Sequence, residues 1–182
     1  MIKKIQLWLP ALVLAAGGAW LLMRDSEEQR ILDLLDQVRD LAEVRDPENA
    51  VTQIGRARQL GSLFTPSTRY DLTTLHYGIT EIDSREELTR RIAAARSRLL
   101  SLELSLLAPD VIIDGDRATV SVTGTALGAT RGGDGQFMDV HRVEIFLVRQ
   151  DGDWLVSGGR HIRDERAAFE GGQALFLNRS RY

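Results

Sequence analysis

Val143–Val156 reads VEIFLVRQDGDWLV, two runs of alternating apolar residues joined at Asp151-Gly152. An Asp-Gly step between such runs marks a tight hairpin, because that turn needs positive φ and these two residues adopt it at the lowest cost. Upstream, Asp139, His141, Val143, Ile145 and Leu147 share one face of the strand Phe137–Gln150, while Val140, Arg142, Glu144, Phe146 and Val148 share the other. The first set is the more apolar and is expected to face a core. On Trp154–Ile162 the corresponding inward row is Trp154, Val156, Gly158 and Arg160.

Working outward, Arg117–Leu127 and Ser101–Ile113 have the same strand character, the latter broken near Pro109, and Asp114-Gly115 joins them as a second hairpin turn. Gly128–Gln136, rich in glycine, reads as a mobile loop. Closer to the N-terminus the apolar period becomes helical. Ser26 and Gln29 form a capping box before Ile31, Leu34, Leu35, Val38, Leu41 and Ala42, which predicts an amphipathic helix to about Val44. Asp46-Pro47 starts a second helix with Ala50, Val51, Ile54 and Leu60 on one side, closed by Gly61 and Pro66. Tyr70–Ile79 reads as one strand. Ser84 and Glu87 then cap a third helix showing Leu88, Ile92, Ala95 and Leu99.

For this order of helix, helix, strand, helix and four strands in a meander, a bent antiparallel sheet wrapping three helices is the economical packing. The order, the long strand pair and the ending VEIFLVRQDGDWLV, with its Asp-Gly turn before Trp154, resemble the nuclear transport factor 2-like (SnoaL-like) superfamily over about Glu27 to Arg163. The resemblance implies an α+β, cone-shaped fold. It also implies pairing through the outer sheet face, where Val140, Phe146 and Val148 supply apolar surface for a homodimer. Isomerases, dehydratases, ligand binders and scaffolds share this fold, so function must come from the site.

Ile5–Met23 (IQLWLPALVLAAGGAWLLM) carries no formal charge over 19 residues. As a helix it would span about 28 Å, close to the hydrocarbon thickness of a bilayer. Trp8 and Trp20 fall near its ends, and the apolar run continues through Trp20–Met23 beyond the small residues Gly17-Gly18-Ala19, which favours an uncleaved anchor over a signal peptide. Lys3 and Lys4 precede the run and Arg24, Asp25, Glu27 and Glu28 follow it. The positive-inside rule then places the N-terminus in the cytoplasm of a bacterium and the domain in the periplasm. The expected organisation is a tail over 1–4, an anchor over 5–23, one domain over 24–163 and a C-terminal tail over 164–182.

Composition excludes several chemistries. Cysteine is absent, which removes disulfides, thiolate nucleophiles and Cys-based zinc sites. From Arg24 onward acidic residues outnumber basic ones by five. No basic stripe exists to release phosphate counterions, so nucleic acid is not an expected partner. His76, His141 and His161 lack paired metal-ligand spacing, and neither a nucleophile elbow nor a phosphate loop is present, so no metal or cofactor is expected. His76 and Tyr77 point to opposite faces of their strand, and at most one of them enters a cavity.

Asp139, His141 and Arg160, with Trp154 deeper in the cone, form the candidate pocket set. An Asp–His pair in an apolar cavity could transfer protons. Polar groups bonding one another at a rim are the commoner arrangement, and no catalytic residue is assigned. The expectation is a non-catalytic domain, anchored through Ile5–Met23 in the inner membrane, that binds another envelope protein. The alternative is a binder or enzyme for a small apolar molecule, which an open cavity of several hundred Å3 would favour.

Overall fold

The computed structural model describes residues 26–45, 49–73, 78–132 and 135–162. Ile5–Met23, His76, Tyr77 and the tail over 164–182 lie outside them, and among the described residues no helix is long and apolar enough to cross a membrane. The elements are α1 (26–42), α2 (Ala50–Ser62), β1 (Phe64–Leu72), β2 (Gly78–Ile82), α3 (Arg85–Ser97), β3 (Leu99–Asp114), β4 (Arg117–Thr130), β5 (Gln136–Gln150) and β6 (Asp153–Ile162).

One six-stranded sheet has the order β2-β1-β6-β5-β4-β3. The antiparallel meander β3 to β6 forms as the two Asp-Gly turns dictate. At the second, Asp151 and Gly152 both take positive φ, 53° and 93°, which suits the right-handed twist of the flanking strands. Three expectations fail here. Tyr70–Ile79 is not one strand but the end of β1 and the start of β2, paired Leu72 to Gly78. β1 runs parallel to β6, so the sheet is mixed rather than wholly antiparallel. The loop expected over Gly128–Gln136 is shorter, because β4 continues through Gly128 to Thr130 with Gly128 opposite Phe137.

Pro66 lies within β1 instead of closing α2, at an irregular register between Phe64 and Arg69 where a missing N–H is tolerated. Near Pro109, β3 stays one strand and absorbs a bulge, with Ala108 at φ 50°. Asp46-Pro47, expected to start the second helix, lies outside the described residues; α2 runs from Ala50, where the Asn49 side chain accepts the Thr52 N–H at 2.9 Å and caps it. It buries Ala57, Leu60 and Gly61, and leaves Val51 and Ile54 exposed. Ser84 caps α3 as expected, accepting from the Glu87 N–H at 3.2 Å.

Ile31, Leu34 and Leu35 of α1 pack on Val120, Val122, Leu147, Trp154 and Val156, which forms the core. The C-terminal end of α1 is held from α3. There the buried Arg96 donates to the carbonyls of Leu41, Ala42 and Glu43 at 2.6, 2.8 and 3.1 Å, satisfying acceptors that a helix end leaves open. Val44 then exchanges two backbone hydrogen bonds with Leu102, at 2.9 and 2.8 Å, on the edge strand β3. The Glu43 carboxylate accepts the Leu104 N–H at 3.2 Å, so part of that edge is covered.

Candidate functional site

Between α1 and the inner face of β5 and β6 lies a cavity of about 280 Å3. Leu35 and Val38 wall it from α1, Phe64 and Tyr70 from β1, Val143 and Ile145 from β5, and Val156 and His161 from β6. Gly158 and Gly159 leave space beside them. Gly158 has φ 154°, and a Cβ there would lie 2.0 Å from the Arg69 carbonyl oxygen, so only glycine allows β1 to approach β6 this closely.

The residues that reach the cavity are set by an irregularity in β6. Phe146 pairs with Gly158 but Leu147 pairs with Val156, so Ser157 is an extra residue and the inward alternation shifts by one. Val143 therefore faces His161, and Glu144 faces Arg160. This overturns the expectation that Arg160 points inward. Its Nε donates to Glu144 Oε2 at 2.5 Å, and its guanidinium sits 6.0 Å from the centre of the Phe146 ring. The hydrogen bond to Glu144 raises the Arg160 pKa further. Glu144 and Arg160 border the cavity, but their charges answer one another.

His161, which lines the cavity, meets a second histidine that is not among the lining residues. His141 Nδ1 lies 3.2 Å from His161 Nε2, with the rings edge to face and their centroids 4.9 Å apart. His141 occupies the inner face of β5 as expected, diagonal to His161. Asp139, two residues further out, is exposed opposite Ala126 and does not line the cavity. Of the expected set, Arg160 borders the cavity with its guanidinium held by Glu144, His141 stands behind His161, and β5 carries Asp139 past the rim, so the three do not converge.

Trp154 is also displaced from its expected place. It is buried in the core, where its indole N–H donates to Glu27 Oε2 at 2.8 Å, and the Arg149 guanidinium lies 5.6 Å from its ring centre. It secures α1 to the sheet instead of lining this cavity. Val140, Phe146 and Val148 occupy the outer face, with Val140 exposed and the other two half-buried.

Tyr70 and His161 are site residues that sequence reasoning missed. The signal for His161 was the Gly158-Gly159 pair, since glycine inside a strand often marks a bulge that reverses alternation. Tyr70, in register with Gly159, was hidden by the misplaced strand boundary. Burial pushes its phenol above the ordinary value, opposed by the Thr68 hydroxyl, so it remains neutral at physiological pH.

A larger cleft of about 560 Å3 is lined by residues including Glu43, Arg45, Leu102, Glu103, Leu127 and Phe137. Its buried carboxylate already has structural partners. Burial opposes ionisation of Glu43, but the Arg45 guanidinium at 2.7 Å and the Leu104 N–H outweigh it and hold its pKa below the usual value. The smaller cavity is the better candidate, because its walls are largely apolar and carry only a few polar side chains. Among the described residues, no three His, Asp or Glu side chains converge as a metal site.

Residues 38–159 match the SnoaL-like domain. No curated protein matches the chain in sequence. Among solved structures, the chain is similar to the Kfla4162 protein from Kribbella flavida, with TM-score 0.63 and 15% identity over 78% of this chain and 93% of that one. It is also similar to a hexachlorocyclohexane dehydrochlorinase from Novosphingobium barchaimii, with TM-score 0.59 and 15% identity over 79% of this chain and 90% of that one. At such identities the likeness is one of fold.

Proposed function

The chain belongs to the SnoaL-like domain family, and from that premise we propose that its domain binds a small, largely apolar molecule in the cavity between α1 and the β5–β6 hairpin. The observation that carries this reading is the open cavity of about 280 Å3 behind Leu35, Val38, Phe64 and Val143. Side chains around such a space lack dispersion partners, and water inside it would find few hydrogen bonds, so an apolar guest gains on both counts. The dehydrochlorinase relative is named for a small chlorinated ring, a compound of suitable size and polarity. Binding is favoured over turnover, because Asp139 is exposed and Arg160 is paired with Glu144.

The test is a titration of naphthalene into the full-length chain with labelled methyl groups. Shifts are expected at Val143, Ile145 and Val156, and Val143→Trp, which fills the space from β5, should abolish them. Because the readout is at named methyls, probe dissolved elsewhere does not contribute. No shift at saturating naphthalene would overturn the reading.

A second activity, docking to an envelope protein, is favoured by the outer sheet face. Leu127 and Met138 are adjacent across β4 and β5, Val140 follows on the same face, and the three are 43%, 68% and 54% exposed. Such a row is more apolar than a solvated strand face requires. In this proposal Ile5–Met23 holds the domain at the inner membrane on its periplasmic side. Val140→Glu should then weaken capture of that partner while leaving naphthalene binding intact. Unchanged capture would remove this second reading.

A further inference from the structure

The binding reading can be carried to the class of ligand through the paired imidazoles of His141 and His161. A contact between His141 Nδ1 and His161 Nε2 at 3.2 Å requires one ring to present an N–H and the other a lone pair. At 3.2 Å it is a single neutral hydrogen bond of modest net worth, which a guest group that bonds both rings can replace. Glu144 and Arg160, the ionised side chains bordering the cavity, are bonded to each other at 2.5 Å. Neither is available as the counter-ion of a charged guest, and burying an unpaired charge among Leu35, Val38, Phe64 and Val143 is strongly unfavourable.

A group that replaces the direct contact and satisfies both rings must accept from one and donate to the other. A hydroxyl does so, giving N–H···O–H···N. Ethers and carbonyls only accept and an ammonium only donates, so either would require one imidazole to change tautomer, whereas a hydroxyl fits the donor and acceptor as they stand. Size adds a second limit. An apolar cavity of about 150 Å3 holds benzene, so about 280 Å3 suits a frame of roughly ten to twelve non-hydrogen atoms. We propose that the cavity selects a neutral alcohol or phenol on an apolar one- or two-ring frame, its hydroxyl inserted between His141 and His161. His161 lines the cavity and makes the selecting contact, and His141 completes it from behind.

This inference rests on the binding reading, and one experiment separates the two. The full-length chain, labelled at methyls and at histidine ring nitrogens, is titrated with naphthalene, 1-methoxynaphthalene and 1-naphthol. All three should shift the methyls of Val143, Ile145 and Val156. Only 1-naphthol should move the ring nitrogens of both His141 and His161, and it should bind about 3- to 10-fold tighter than the ether, the usual worth of one neutral hydrogen bond. That advantage should vanish in His141→Phe, and should fall in His141→Gln, which keeps a polar group. Equal affinity for naphthol and ether in the unmodified chain overturns the inference even if neither variant folds. So does a preference that survives His141→Phe. Absence of methyl shifts with naphthalene instead overturns the binding reading itself.

Discussion

Arg96→Leu should strongly destabilise the domain, and loosen the cavity as it does so. The arginine is 3% exposed and makes three hydrogen bonds to the carbonyls of Leu41, Ala42 and Glu43, between 2.6 and 3.1 Å. Hydrogen bonds to a charged group contribute about 1.5–3 kcal/mol each, but three from one guanidinium are not additive, and water will reach some of the freed carbonyls. The expected loss is about 3–5 kcal/mol, or roughly 10–20 °C in Tm for a domain of this size. Circular dichroism during urea and thermal unfolding of the full-length chain measures it. Since α1 also carries Leu35 and Val38, which wall the cavity, naphthalene affinity should fall even where the variant remains folded. Arg90→Leu, at an exposed position of the same helix, is the control and should change stability by less than about 0.5 kcal/mol. A loss of under about 1 kcal/mol for Arg96→Leu would refute the view that this residue anchors the end of α1.

Three more outcomes follow from the same geometry. Gly158→Ala places a Cβ 2.0 Å from the Arg69 carbonyl oxygen, a backbone atom that cannot swing aside, so the β1–β6 pairing should open and soluble yield collapse; near-normal Tm would contradict the account of that crossing. Glu43 has a folded-state pKa below its unfolded value, so it contributes stability that is present above the ordinary carboxylate value of about 4.3 and is lost as pH falls through the folded value. Glu43→Gln should accordingly flatten the acid limb of the stability profile, and an unchanged limb would count against it. For topology, a phosphatase reporter fused after Tyr182 should be active outside the cytoplasm, and an inactive fusion beside an active cytoplasmic reporter would reject the proposed orientation.

Local patterns that the chain states outright were legible before the structure. The Asp151-Gly152 turn, the inward row of Val143, Ile145 and Leu147, and the Ser84 cap are each decided by chemistry within a few residues. Non-local features were not. Nothing in the alternation of Tyr70–Ile79 marks where β1 ends and β2 begins, and the parallel β1–β6 pairing joins segments about ninety residues apart. At the site the consequence was larger. One extra residue at Ser157 exchanged Arg160 for His161 on the inner face, because strand alternation has a period of two and a single insertion reverses every later side chain. His141 pairs with His161, a contact that the spacing of the two strands does not announce, and Trp154, on the expected inward row, uses its indole N–H and ring to hold α1.

The measurement closest to the central claim is a crystal structure of the full-length chain soaked with 1-bromonaphthalene, whose bromine can be located by anomalous scattering. A single strong bromine peak is expected inside the cavity, among Leu35, Phe64, Tyr70 and Val143, and it should disappear in Val143→Trp. An empty cavity beside bromine bound elsewhere on the chain, or side chains from α1 and β1 collapsed into the space, would contradict the account.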